Sequence, residues 1–347
     1  MIEFKKYTET AEFHNPLNNF EKIKVNIEIR EDPLTRFRSI INEYLINKKG
    51  VLYPDTDYEY LSSLAARSKE TCFLCDEMVE KTTPTYTKDF IEQGRLKYQD
   101  AVLFPNLYPL TKFHAVIRVG RDHFKTLGEL DSTMLFNGFK LAFDFLIKSF
   151  DYDKRYKYPT INANFLLPAG ASAIHTHFQL VNFFIPSTYH QLLLDKSKEY
   201  FKKHNSCYFV ELVKIEKELG VRYIGEIGEG VWLSAYSPMG RNEVQIIWPK
   251  KQNFSEFTEK DIKDLSEGLE KLFSYYHSKK ISTFNFSILS GPLGEEAPYF
   301  RCIMKVVNRQ NVVKDHRTDD YFLQKILKNE LSEITPEELA TEIREVF

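Results

Sequence analysis

The chain has 347 residues, 43% of them hydrophobic and 14% aromatic, and a formal net charge of −2 with both signs mixed along its length. That length suits two domains of ordinary size. The charge pattern offers no basic face for nucleic acid, and no stretch reaches the ~18 uninterrupted apolar residues that a membrane span needs.

The N-terminal stretch MIEFKKYTETAEFH is polar, without the apolar segment of a secretory signal. Residues 22–30, KIKVNIEIR, alternate at period two and predict a strand. From Arg36 to Asn47 the apolar positions Phe37, Ile40, Ile41, Tyr44 and Leu45 have helical spacing. Strands are predicted over 96–106 and 113–119, a helix over 132–150 with Leu135, Phe139, Phe143 and Ile147 on one face, and strands over 161–168 and 173–184. The order then returns. Strands are predicted over 230–238 and 243–249, a helix over 261–278 carrying Ile262, Leu265, Leu269, Leu272 and Phe273, and strands over 282–289 and 299–307. Strand–strand–helix–strand–strand, repeated after about 130 residues, predicts a duplicated α+β domain and not a solenoid. Each half is expected to be an antiparallel sheet with a packed helix. The expected divisions are an N-terminal extension over 1–60 packing on the core, a first half over 61–205 and a second half over 206–347, with helical stretches around 187–204 and 318–346 linking and capping them.

The four cysteines are Cys72, Cys75, Cys207 and Cys302. So sparse a set, with one CxxC pair, predicts a reducing compartment, and a soluble cytoplasmic protein is the expectation. Cys72 and Cys75 suit one metal held by a tight turn, or a redox couple; no strand precedes them as a thioredoxin-like unit would require. Two further ligands would have to come from His114, His123, His175 and His177.

Within ASAIHTHFQLVNFFIP, His175, His177 and Gln179 are spaced two apart, which on a strand puts them on one face, with Thr176, Phe178 and Leu180 on the other. A lone strand histidine is ordinarily a packed core residue. Chance placement of nine histidines, however, yields only ~0.2 such pairs. A neutral imidazole can attack phosphorus and leave again, and an amide N–H can meet the oxygen where charge builds. Upstream, Asn164 and the stretch PAGAS, with Gly170 and Ser172, offer an amide, a hydroxyl and pliable backbone for a phosphate, or else an ordinary turn.

In order along the chain, CFLC, NLYPLTKFHAVI, RDHFKTLGEL and HTHFQ resemble the histidine-triad superfamily, and most closely its galactose-1-phosphate uridylyltransferase branch. GVWLSAYSPMGRNEVQIIWP, STFNFSILSGP and ITPEELATEIREVF extend the resemblance over roughly residues 65–347. It implies two tandem histidine-triad-like halves, the second degenerate. It implies that His177 is the nucleophile of a covalent nucleotidyl-histidine and that Gln179 contacts the phosphate. Asn164 and Ser172 would be further phosphate contacts. Cys72, Cys75, His123 and His175 would hold a structural zinc, with no direct catalysis by the metal. This choice takes His123 as third ligand and leaves His114 a structural role. A homodimer is a further expectation, because relatives complete the active site with a neighbouring subunit.

The sequence departs from that branch where Thr176 and Phe178 replace its usual Pro and Gly, so HTHFQ is closer to related phosphorylases. Where the family has histidines of a second metal site, Cys302 and Met304 stand, and no second metal is expected. Lys325 occupies the place of the glutamate that grips the hexose. The expected activity is nucleotidyl transfer on the α-phosphate of a nucleotide sugar, with a sugar phosphate as acceptor. The alternatives are phosphorolysis of a nucleotide sugar or dinucleoside polyphosphate by inorganic phosphate, and a non-catalytic zinc-stabilised nucleotide-binding module. Hydrolysis is disfavoured, since hydrolytic relatives usually carry a third histidine where Gln179 stands.

Overall fold

The structure, a computed structural model, describes residues 2–48, 50, 52–76, 78–315 and 317–347. The chain opens with a hairpin of β1 (Lys5–Asn15) and β2 (Glu21–Glu31), paired from Lys5↔Glu31 to Asn15↔Glu21. A third strand, β3 (Arg38–Asn42), adds antiparallel to β2. The helical spacing over 36–47 is therefore realised only in a last short turn, Glu43–Ile46, which the Asn42 side chain caps by accepting from the N–H groups of Tyr44 and Leu45. Ile40 and Ile41 are β-branched, and the open edge of β2 gives them a ladder of backbone partners, which overrides the local periodicity.

The chain then lays down β4 (Leu96–Tyr98), β5 (Ala101–Pro105), β6 (Phe113–Arg118), β7 (Tyr158–Phe165) and β8 (His177–Phe183). After the helices Thr188–His204 and Tyr208–Leu219 come β9 (Tyr223–Ile227), β10 (Gly230–Ser234), β11 (Arg241–Ile247), β12 (Phe284–Leu289) and β13 (Ile303–Asn308). These ten form one antiparallel sheet in the order β4-β5-β6-β8-β7-β12-β13-β11-β10-β9. A final strand, β14 (Asn329–Ser332), lies parallel to β3 and completes the N-terminal sheet, where the sequence pattern had suggested only helix; the helix Pro336–Arg344 follows.

The large sheet reads alike from either end. Two sets of five strands meet where β7 pairs with β12, from Phe165↔Phe284 to Thr160↔Leu289. The fold is thus a duplicated α+β arrangement of antiparallel sheet and packed helix. The helices Ser132–Tyr152 and Glu259–Ser278 cover the same face. Phe139 of the first stands 4.8 Å from Phe178 of β8 and 5.9 Å from Phe286 of β12, centroid to centroid, so one core runs under both halves. Gly268 lets the second helix sit on Trp232 of β10, since a Cβ there would come within 2.2 Å of the indole.

Strand alternation does the rest. Phe178, Leu180, Phe284, Phe286 and Ile288 enter the core, and Gln179, Asn285 and Ser287 face the other way. Two expected strands are interrupted. Residues 96–106 fold as a hairpin because Gln99 takes a left-handed φ of 51°. The segment 173–184 becomes a strand only at His177; Leu166 (φ 67°) and Gly170 (φ 87°) turn the chain before it. His175 therefore lies in the loop leading into β8 and does not share a strand face with His177. Among the described residues no helix is long and apolar enough to cross a membrane.

Candidate active site and metal cluster

Cys72 follows the helix Tyr58–Lys69, and the Cys75 N–H donates to the Cys72 carbonyl at 3.3 Å, closing a turn that turns both thiols inward. His123 arrives from the loop after β6 and His175 from the loop before β8. The ligand atoms of these four residues all lie within 4.8 Å of one another. Cys75 Sγ is 3.2 Å from His123 Nδ1 and 3.5 Å from His175 Nδ1, and Cys72 Sγ is 3.8 Å from His175 Nδ1. Metal–sulfur and metal–nitrogen bonds of ordinary zinc length, meeting at a tetrahedral angle, would span about 3.6 Å.

The tautomers agree. His175 Nε2 is 2.8 Å from the Gly120 carbonyl, which can only accept, so Nε2 carries the proton and Nδ1 turns its lone pair to the sulfurs. His123 Nε2 meets Ser68 Oγ at 2.9 Å, and that hydroxyl is already committed as donor to the Ala65 carbonyl, so it accepts from His123. Burial, reinforced by the Cys72 thiol, pushes the Cys75 thiol up to about 12, and burial lowers His175 to about 4. Two neutral imidazoles and two thiols that would release their protons to a cation make a donor set that can hold one metal ion.

His177 opens β8 and is 7% exposed. Its Nδ1 is 2.8 Å from the His175 carbonyl and so carries the proton. Nε2 therefore keeps its lone pair. Burial lowers the pKa of this ring, favouring the neutral form. Two residues on, Gln179 is oriented by a short chain of bonds. The Leu110 N–H donates to His114 Nδ1 at 3.1 Å, which leaves the His114 proton on Nε2, and Nε2 donates to Gln179 Oε1 at 3.0 Å. With its oxygen taken, Gln179 presents its NH₂ to the open face. Asn164 is set the same way: its Oδ1 accepts from Asn285 Nδ2 at 2.7 Å.

Gln179 and Asn164 line a cavity of about 490 Å³ on the open face of the sheet. His177 does not line it but sits beside Gln179 at the strand start. A Cβ on Gly170 would lie 4.0 Å from Asn164 Nδ2, so the Leu167–Ser172 turn abuts Asn164, and the left-handed φ of 87° at Gly170 is one that glycine adopts without strain. Ser172 is exposed on that turn and does not line the cavity.

No protein-family model matches the chain. An uncharacterized protein of Archaeoglobus fulgidus is 30% identical over 350 residues, spanning 100% of this chain and 99% of that one. Three solved structures share the fold, each at 18% identity. An ADP-glucose phosphorylase from Arabidopsis thaliana with bound ADP-glucose has a TM-score of 0.68, covering 92% of this chain and 99% of its own. A galT-like protein from Arabidopsis thaliana gives 0.67, with 92% and 99% covered. A uridylyltransferase gives 0.64, with 72% and 85% covered. The chain belongs to one family with the archaeal protein, and it shares its fold with the phosphorylase, the galT-like protein and the uridylyltransferase.

Two features of this site escaped the sequence. His114 pairs with Val181 across β6 and β8, one step diagonal from Gln179, and only the register reveals that it steers the amide. The second half also furnishes part of the cavity: Asn285 and Ser287 of β12, Lys305 of β13 and Glu243 of β11. Polar residues at alternate positions of FNFSIL were the available signal, but the expectation of a degenerate half passed over it.

Proposed function

We propose that the protein is an enzyme that transfers a nucleotidyl group from a nucleotide sugar through a covalent nucleotidyl-histidine on His177. The observation that carries this is the hydrogen bond from His177 Nδ1–H to the His175 carbonyl. It fixes the tautomer with Nε2 free, beside an amide whose N–H groups face outward. Nε2 attacks the α-phosphorus, the P–O bond to the departing sugar phosphate breaks, and the His175 carbonyl supports the positive ring. Gln179 NH₂ donates to a non-bridging oxygen as charge grows there, with Asn164 and the backbone and hydroxyl of Gly170 and Ser172 as further phosphate contacts. An acceptor oxygen then attacks the adduct, the P–N bond breaks and His177 is restored.

The ADP-glucose seen in the Arabidopsis phosphorylase supports a nucleotide sugar as the donor class. A sugar phosphate as acceptor makes the reaction a hexose-1-phosphate uridylyltransferase-like exchange with a place in carbohydrate metabolism. Inorganic phosphate, the second reading, makes it a phosphorylase. Thr176 and Phe178 within HTHFQ favour the latter, as does Lys325, which is exposed and pairs with Asp320 at 3.4 Å where a hexose-gripping glutamate would stand. Zinc suits the Cys72, Cys75, His123 and His175 donors, and when bound it would stiffen the loop whose carbonyl orients His177, without acting on substrate. Reduced thiols there require a reducing compartment, in keeping with the cytoplasm. A homodimer belongs to the same proposal.

The test is to incubate the protein with ADP-glucose and UDP-glucose labelled at the α-phosphate. Wild type should retain label after denaturation and the His177→Ala variant should not. An unlabelled wild type, or equal labelling of both, sinks the mechanism. Release of label by glucose 1-phosphate or by inorganic phosphate then separates the two acceptors.

A further inference from the structure

The cavity continues past the β7–β12 seam onto the second half, where its wall holds a buried ion pair. Lys305 Nζ is 2.5 Å from Glu243 Oε1; the Glu243 side chain is 0% exposed and that of Lys305 16%. The carboxylate is fully committed, since Gln245 Nε2 also donates to Oε1 at 2.9 Å and the Met239 N–H to Oε2 at 2.6 Å. The ammonium is not. It has three N–H donors, of which Glu243 takes one and the Tyr189 hydroxyl neighbours another. Burial works against its charge, but Glu243, Tyr189 and Asp32 together outweigh it, so Lys305 stays protonated.

Beside this pair stand the Ser287 hydroxyl and the Tyr189 ring, both in the cavity wall. Lys305 is the one cation among the described residues of that wall, and Glu243 neutralises it, so an anion gains little at this end. A polyphosphate bridging to a second nucleoside would find no charge to meet it. A group of hydroxyls, each able to donate and accept, matches the mixed set of ammonium, carboxylate and hydroxyl, and its C–H face matches an aromatic ring. A volume of about 490 Å³ is of the size that small-ligand sites have. We infer that Lys305 and Glu243, with Ser287 and Tyr189, bind the glycosyl part of the substrate, so that one half of the protein holds the reacting phosphate and the other the sugar. This rests on the nucleotidyl-transfer reading above.

The test uses Lys305→Met and, because a lone buried Glu243 could unfold the protein, the double variant Lys305→Met/Glu243→Gln, which removes the pair together. Ser287→Ala, a single lost hydroxyl, is read the same way. Donors are ADP-glucose and UDP-glucose, with ADP and UDP as sugar-free probes. The Lys305 variants should raise KM for the accepted nucleotide sugar at least tenfold, and Ser287→Ala about threefold, while the Kd of the matching diphosphate moves less than twofold. Equal weakening of sugar and diphosphate would make Lys305 a phosphate contact, and unchanged KM in folded variants would make the pair purely structural; either overturns the inference. Labelling of wild-type His177 keeps the two readings apart. If it fails, the mechanism is wrong; if it succeeds and the variants do not discriminate, only the sugar assignment falls.

Discussion

β8 and β13 hold equivalent places in the two halves, each second from the seam, and both bury apolar side chains on the helix side: Phe178 and Leu180 in one, Met304 and Val306 in the other. Their open faces differ. β8 presents His177 and Gln179, whereas β13 presents Lys305, and Cys302 just before it is sealed in the core. One backbone layout thus carries two different sets of polar side chains, and a handful of outward positions makes the difference. Buried partners then set the orientation of those few residues: the His175 carbonyl for His177, His114 for Gln179, Glu243 for Lys305.

The sharpest way to break the comparison is to strike matching strands. His177→Ala should lower turnover on the order of 10³-fold or more, whereas Met304→Leu on β13 should leave kcat within about twofold and cost less than about 1.5 kcal/mol in urea unfolding. Comparable losses from both would mean that β13 shares in the chemistry. Next in size is the metal cluster, which only the first half possesses among the described residues. Elemental analysis should find about one zinc per chain, and chelation should lower Tm by roughly 10 °C. Cys75→Ser should reproduce that loss, and Cys302→Ser should not alter metal content.

A third measurement probes the joint between the halves. His190, on the helix that follows β8, is fully buried, with Nε2–H donating to the Ser290 carbonyl of the second half at 2.7 Å; burial lowers its pKa to about 4. A folded value below the unfolded one near 6.5 means that the unfolded chain takes up the proton first. The stabilising effect of the neutral ring is therefore complete above pH 6.5 and is lost as pH falls toward 4, by about 3 kcal/mol. His190→Gln, which keeps an N–H donor, should flatten the pH dependence of unfolding across that interval. The smallest effect expected is at His114. His114→Phe should slow adduct formation about tenfold by releasing the Gln179 amide, with donor affinity nearly unchanged. Unaltered adduct kinetics would show that the amide needs no steering.

Much of the fold is legible in the sequence. The doubled order of strands and helix follows from period-two and period-3.6 apolar spacing, because each strand buries one face under one helix. CxxC and HTHFQ lie where the first half gathers its possible metal ligands and the paired His177 and Gln179. What was not legible depends on register. Ile40 and Ile41 fit a helix locally and join a sheet because β2 offers an edge. His175 leaves the strand because the turn at Leu166–Gly170 ends late. His114, Asn285 and Lys305 acquire partners 65, 121 and 62 residues away in sequence, through cross-strand neighbours that no local window contains.

The ladder between β7 and β12 also bears on how the molecule could have been assembled and how it could be taken apart. Separating the halves would bare the backbone N–H and C=O groups of two strand edges, each ready to recruit another chain. Neither fragment should therefore be recoverable as a well-behaved monomer, and fragments mixed together should knit back along that line before either regains a working pocket.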